Sequence, residues 1–192
     1  VKKENSIVVK ALCMNDRRPQ PVVTYVPPSP ATPVVKPEPA PKAVVCDPSE
    51  FFAQLEYYKQ EMIWCKFYSL NNASLHFGKG TAKQELYYCE GGRNKQLLPD
   101  AIYEFEVVER NFNNGHELAK GQKFGDKPKG IRTATVLEAK VVLQKARWNH
   151  SLAIRELYGS QAQYEFARQH KSAFIGKDHK LHVPTCAADL KH

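Results

Sequence analysis

Apolar residues recur at helical spacing from residue 51 onward: at 100° per residue, Phe51, Leu55, Tyr58, Met62 and Cys65 share one side of a helix, and Tyr57, Trp64 and Tyr68 line another. The tetrapeptide Asp47-Pro48-Ser49-Glu50 stands just before this run. An Asp that can accept a backbone N–H, a Pro at the first helical position and a Glu three residues after the Asp together form a helix start. The pattern predicts a helix from about 48 to 69. Beyond it the period shortens, and Ala73 to Phe77, Glu85 to Cys89 and Ala101 to Arg110 read as strands. Gly78-Lys79-Gly80 separates the first two as a turn, and Gly91-Gly92 with Pro99-Asp100 precedes the third, in which Tyr103, Phe105 and Val107 alternate with Glu104 and Glu106. Residues 111 to 130, rich in Asn, Gly and Lys, predict a long loop.

Helical spacing returns at about Ala134 and runs to Gly159, a C-terminal cap, after which Ser160 and Gln163 start a further helix expected to reach Gly176. The long helix carries two apolar stripes. Val136, Ala139, Leu143, Ala146, His150, Ala153, Ile154 and Leu157 form a broad core face, and Leu137, Val141, Trp148 and Leu152 a second one. That second stripe is read either as a partner-docking face or as packing against the sheet or the helix from Ser160. The expected fold class is α+β: a small antiparallel sheet with three helices, preceded by a long proline-rich extended arm. Its divisions are a short extended segment (1–18), the arm (19–46), a compact α+β domain (47–176) and a polar tail (177–192). Ten of the 13 prolines lie between Pro19 and Pro48, a density that removes backbone donors and holds the chain near polyproline II.

Charge sharpens this picture. The net charge is +8, and between Lys120 and Arg147 eight basic residues face only Asp126 and Glu138. Lys120, Lys123, Lys127, Lys129 and Arg132 are therefore the candidate contacts to nucleic acid or to an acidic protein surface. No run approaches the roughly 18–20 apolar residues of a membrane span, so no membrane insertion is expected. The five cysteines form an odd set without a Cys-x-x-Cys pair. Reduced thiols and an intracellular setting (cytoplasm, organelle interior or virion) follow as expectations.

Reactive constellations are sparse. His179, His182 and Cys186, with His170, have a spacing open to zinc but lack the paired knuckles of structural sites, so no metal or other cofactor is expected. Cys89 or Cys186 beside His76, His116 or His150 would be needed for a thiol nucleophile, and nothing in the spacing joins them. The polar cluster Asn113 to Glu117 suggests a loop without specifying a reaction. Gly78-Lys79-Gly80-Thr81 lacks the leading glycine and residue order of a phosphate loop. Lys66-Phe67-Tyr68, Lys123-Phe124 and Arg147-Trp148 pair cations with rings that can stack on bases. No catalytic residue is assigned. The leading expectation is a non-enzymatic structural or linker subunit of a large intracellular assembly: a virion, an organellar ribosome, or a light-harvesting or respiratory complex. It would dock on other protein subunits through its basic domain, with the arm threaded along neighbours. A nucleic-acid-binding protein using loop 120–132 is the first alternative, and an enzyme with an unrecognised site the second.

Overall fold

A computed structural model describes residues 46–65, 68–119 and 132–191. They form five helices: α1 (Pro48–Cys65), α2 (Ser69–Cys89), α3 (Leu97–Ala119), α4 (Val136–Tyr158) and α5 (Ser160–Gln169). Two short 3-10 turns, Lys171–Ala173 and Ala187–Asp189, follow in the C-terminal segment. Among the described residues there is no sheet, only an isolated bridge between Ile175 and Leu181. The expected α+β class is thereby corrected to an all-helical bundle. The segments 1–18 and 19–45, and the basic residues of 120–131, lie outside the described residues.

α1 follows its sequence pattern. The Asp47 carboxylate accepts the Ser49 N–H at 2.9 Å, Phe51 and Cys65 are buried, and Leu55, Tyr58 and Met62 are half-buried on the same side. Its last turn is held by Asn72, whose side-chain amide donates to the Cys65 carbonyl at 2.6 Å, serving one of the carbonyls that a helix end leaves open.

The three expected strands are all helix. α2 spans two of them and passes straight through Gly78-Lys79-Gly80. A glycine inside a helix costs about 1 kcal/mol against alanine, and here the small residues serve close packing on two sides. A Cβ on Gly78 would lie 2.4 Å from the Tyr58 ring of α1, and one on Gly80 would lie 2.7 Å from the Phe105 ring of α3. Gly91 and Gly92 form a turn after α2, with φ of +64° and +75°, whereas Pro99-Asp100 falls in the first turn of α3, where proline's missing N–H does no harm. In α3 Leu98, Ala101, Glu104, Phe105, Val107 and Val108 are buried, a helical series. The alternation of Tyr103, Phe105 and Val107 was coincidental, since Tyr103 is exposed. α3 also continues through 111–119, nearly half of the expected loop.

α2 packs on α1, α3 and α4, and α4 on α3 and α5. The central cluster is Ala73 of α2, Ala101, Phe105 and Val108 of α3, and Leu143 and Ala146 of α4. α4 starts with a capping box: Thr135 Oγ1 accepts the Glu138 N–H, and the Glu138 carboxylate accepts the Thr135 N–H. It ends at Gly159, whose φ of +90° suits glycine. α5 stops at Gln169, short of the expected Gly176.

The cysteines also depart from expectation. Cys46 is bonded to Cys89, joining the start of α1 to the end of α2, and Cys186 is disulfide-bonded too. Cys65 is a free, buried thiol, as its place in the helical pattern implied.

Candidate functional site

The second stripe of α4 is divided by the structure. Leu137 is 73% and Val141 46% exposed, Trp148 is half-buried, and Leu152 is fully buried. The C-terminal segment packs on Trp148. Phe174 stacks on the Trp148 ring at 5.8 Å between centroids, the Lys191 ammonium sits 4.9 Å from that ring, and the indole N–H donates to the Asp189 carbonyl. Buried amides complete the clamp: Asn149 Oδ1 accepts the Lys191 N–H at 2.8 Å, and Gln163 Nε2 donates to the Pro184 carbonyl at 2.7 Å. Gln163 therefore ties down the chain beyond α5 instead of capping that helix. Asn149 also donates to Thr81 Oγ1 at 3.1 Å, so the clamp reaches into α2. The broad stripe behaves as a core face, with Ala139, Leu143, Ala146, His150 and Ala153 buried.

Two charged clusters lie between helices. Glu104, 2% exposed, receives His76 Nδ1 at 2.6 Å, Lys83 Nζ at 2.7 Å and Lys79 Nζ at 3.0 Å. Burial alone would raise its pKa, but the hydrogen bonds from His76, Lys83 and Lys79 outweigh burial and hold the carboxyl at about 2. This ion cluster fastens α3 to α2, and removing either side would strand a buried charge. Sequence reading missed Glu104. The available signal was a lone acid inside the helical series Leu98, Ala101, Phe105, Val108, opposite His76, Lys79 and Lys83, which share one side of α2.

The second cluster surrounds His150. Its ring lies 4.5 Å from Phe166, which in turn lies 4.5 Å from His170, while Phe105 approaches His150 from α3 at 6.1 Å. Burial lowers the His150 pKa to about 4, His170 adds to the effect, and Glu109 partly opposes it. Burial also lowers His170, helped by Arg147 and opposed by Glu109. Arg147 itself donates to Glu109 at 2.6 Å, so this member of the basic run is spent inside the fold.

The remaining candidates are not assembled into a reactive centre. Of the five basic contact residues, Arg132 alone is described, and its guanidinium is held by both oxygens of Glu138 at 2.7 and 3.1 Å. Lys120, Lys123, Lys127 and Lys129 lie outside the described residues. His182 bonds to Asp178 at 2.8 Å, and among the described residues no three ligands gather as a metal site. Cys89 is consumed by its disulfide, so its pairing with a histidine base is removed. Asn113, His116 and Glu117 lie on the last turns of α3 and, with Phe112, Val136 and Lys140, line an open cleft of about 500 Å³, with no Ser, Thr or Cys among these lining residues. No helix of the described residues is long and apolar enough to cross a membrane. Comparison with protein-family models, curated proteins and solved structures finds no match.

Proposed function

We propose that this chain is a non-enzymatic structural subunit that docks on other protein subunits through the open half of α4. One observation carries this reading: a single apolar row is buried at Leu152 and covered at Trp148 by the chain's own C-terminal segment, yet continues outward at Leu137 and Val141. Exposed apolar groups aligned on successive helical turns are a common form of protein contact. The row expected from sequence to dock as four residues is reduced to these two, with Lys140 beside them. The proline-rich arm would extend the contact along neighbouring subunits. The Cys46–Cys89 bond supports a setting in which disulfides persist, which favours a virion or an oxidising organelle interior over a reducing cytoplasm.

The charge surplus keeps a second reading in play, in which 120–132 meets an acidic partner such as nucleic acid. One experiment addresses both. The full chain carrying Leu137→Ser and Val141→Ser is compared with wild type by cross-linking in its native source, at low and at high salt. Loss of cross-links from Lys140 at either salt, with an unchanged melting temperature, supports docking through α4. Cross-links that survive the substitutions but vanish steeply with salt would transfer the contact to the basic segment.

A further inference from the structure

α1 and α2 form a helical pair closed at both ends, by the Cys65–Ser69 connection at one and by the Cys46–Cys89 disulfide at the other. α1 is thinly embedded. Among its described side chains only Phe51 and Cys65 are buried, against seven residues in α2. It packs chiefly on α2, and Phe52, Tyr57 and Ile63 project outward, each more than half exposed. The central cluster of Ala73, Ala101, Phe105, Val108, Leu143 and Ala146 takes no residue from α1, and the Glu104 clasp joins α2 to α3 without it. Neither Cys46 nor Cys89 is fully buried, so a small thiol can reach the bond.

We propose that Cys46–Cys89 is a redox strap: when a dithiol reductant opens it, α1 lifts off α2 and uncovers the α2 surface around Gly78, while α2, α3 and α4 stay packed. In the chemical step one thiolate of the reductant attacks a cystine sulfur, the Sγ–Sγ bond breaks, and the departing sulfur takes the electron pair and then a proton. The reductant's second thiol closes on the mixed disulfide and leaves as a cyclic disulfide, so two electrons and two protons end on Cys46 and Cys89 as thiols. Opening is favoured because a broken cross-link no longer restricts the detached state, and helices with few buried contacts are the first to open. Burial, with Glu50 of α1 adding to it, raises the Glu85 carboxyl to about 7, so seating α1 beside it carries an electrostatic cost.

The test uses the full chain with Cys46→Ser and Cys89→Ser, which leaves the Cys186 bond intact. Two readouts are taken under native conditions: amide hydrogen exchange, and alkylation of Cys65, whose thiol is buried while α1 is seated. The expected result is at least roughly tenfold faster exchange across 51–65 and faster alkylation of Cys65, with the amides of α2, α3 and α4 protected as in wild type. Unchanged protection of α1 would overturn the proposal, as would loss of protection in all helices together. Should the double variant fail to fold, Cys186→Ser protein, folded oxidised and then reduced, gives the same readouts with Cys46–Cys89 as the bond being opened.

Discussion

Leu137 and Leu152 lie on one apolar row of α4, yet the first is 73% exposed and the second fully buried. Part of the difference comes from polar groups that an apolar pattern does not register. Trp148, Asn149 and Gln163 supply an indole and two amides that bond the main chain at Asp189, Lys191 and Pro184. These bonds set the C-terminal segment against Trp148, one turn from the buried Leu152, and leave Leu137 and Val141 open. A helical stripe states how much apolar surface needs covering; directional hydrogen bonds decide which part the chain covers for itself.

The sharpest way to break this comparison is a matched pair of substitutions. Leu152→Ala should lower unfolding stability by about 2–5 kcal/mol, as expected for a fully buried leucine, and Leu137→Ala should change it by less than about 0.5 kcal/mol, as expected at an exposed site. Chemical denaturation measures both. Similar losses at the two positions would show that the halves are not distinct.

Acid should strike the sealed half first. His150 is neutral in the fold with a pKa of about 4 and protonates near 6.5 when unfolded. The unfolded state therefore binds more protons between these values, and the stability owed to His150, complete above 6.5, drains as pH falls toward 4. By pH 4.5 the loss is about 2–3 kcal/mol. Glu104, held at about 2 against an ordinary 4.5, contributes its own loss only below 4.5. Stability measured at pH 7.5 and 4.5 should thus fall less in His150→Gln than in wild type. Equal falls would place the acid-sensitive group elsewhere.

A smaller effect is expected from the clamp. Gln163→Ala strands the Pro184 carbonyl in a buried place, which costs about 1–3 kcal/mol. Exchange should quicken across 181–191 while the amides around Leu143 stay protected. Uniform quickening would mean that the segment is part of the core and not a cover placed on it.

How far the fold was legible follows the same logic. α1 and the broad face of α4 each bury one stripe, and their spacing was readable. α2 packs on three helices, so its buried residues, from Leu70 and Ala73 through Gly80, Thr81, Ala82, Gln84 and Leu86, trace no single stripe. Its two glycines looked like a turn because their partners, Tyr58 and Phe105, belong to other helices. α3 hid its period behind a buried acid, Glu104, whose partners lie on α2. Pairing of Cys46 with Cys89 depends on two helices lying side by side, and spacing along the chain carries no trace of it. In the candidate site, Leu137 and Val141 were legible as surplus apolar surface, but the covering of Trp148 was not, since it rests on the Asn149 and Gln163 amides, which a sequence reads as surface.

The mildest prediction concerns the open half, whose order rests on its first turn because no segment of the described chain lies over Leu137. Thr135 Oγ1 accepts the Glu138 N–H at 3.2 Å, and the Glu138 carboxylate accepts the Thr135 N–H at 2.7 Å while gripping Arg132. Thr135→Ala removes the hydroxyl acceptor and should cost about 1 kcal/mol, the usual worth of a helix N-cap. The loss should be local, seen as faster exchange at the first amides of α4 with those near Leu152 unchanged. Its pH window separates it from His150. The Arg132 guanidinium, with the Thr135 N–H, holds the Glu138 carboxyl at about 2, below its ordinary 4.5. The carboxylate's share of the cap is therefore intact above 4.5 and fades only as pH falls from there toward 2. The gap between wild type and Thr135→Ala should stay constant from pH 7 to 5, the range in which the His150 effect is already growing. A gap that closed between pH 7 and 5 would show that the first turn of α4 is held by something other than this cap.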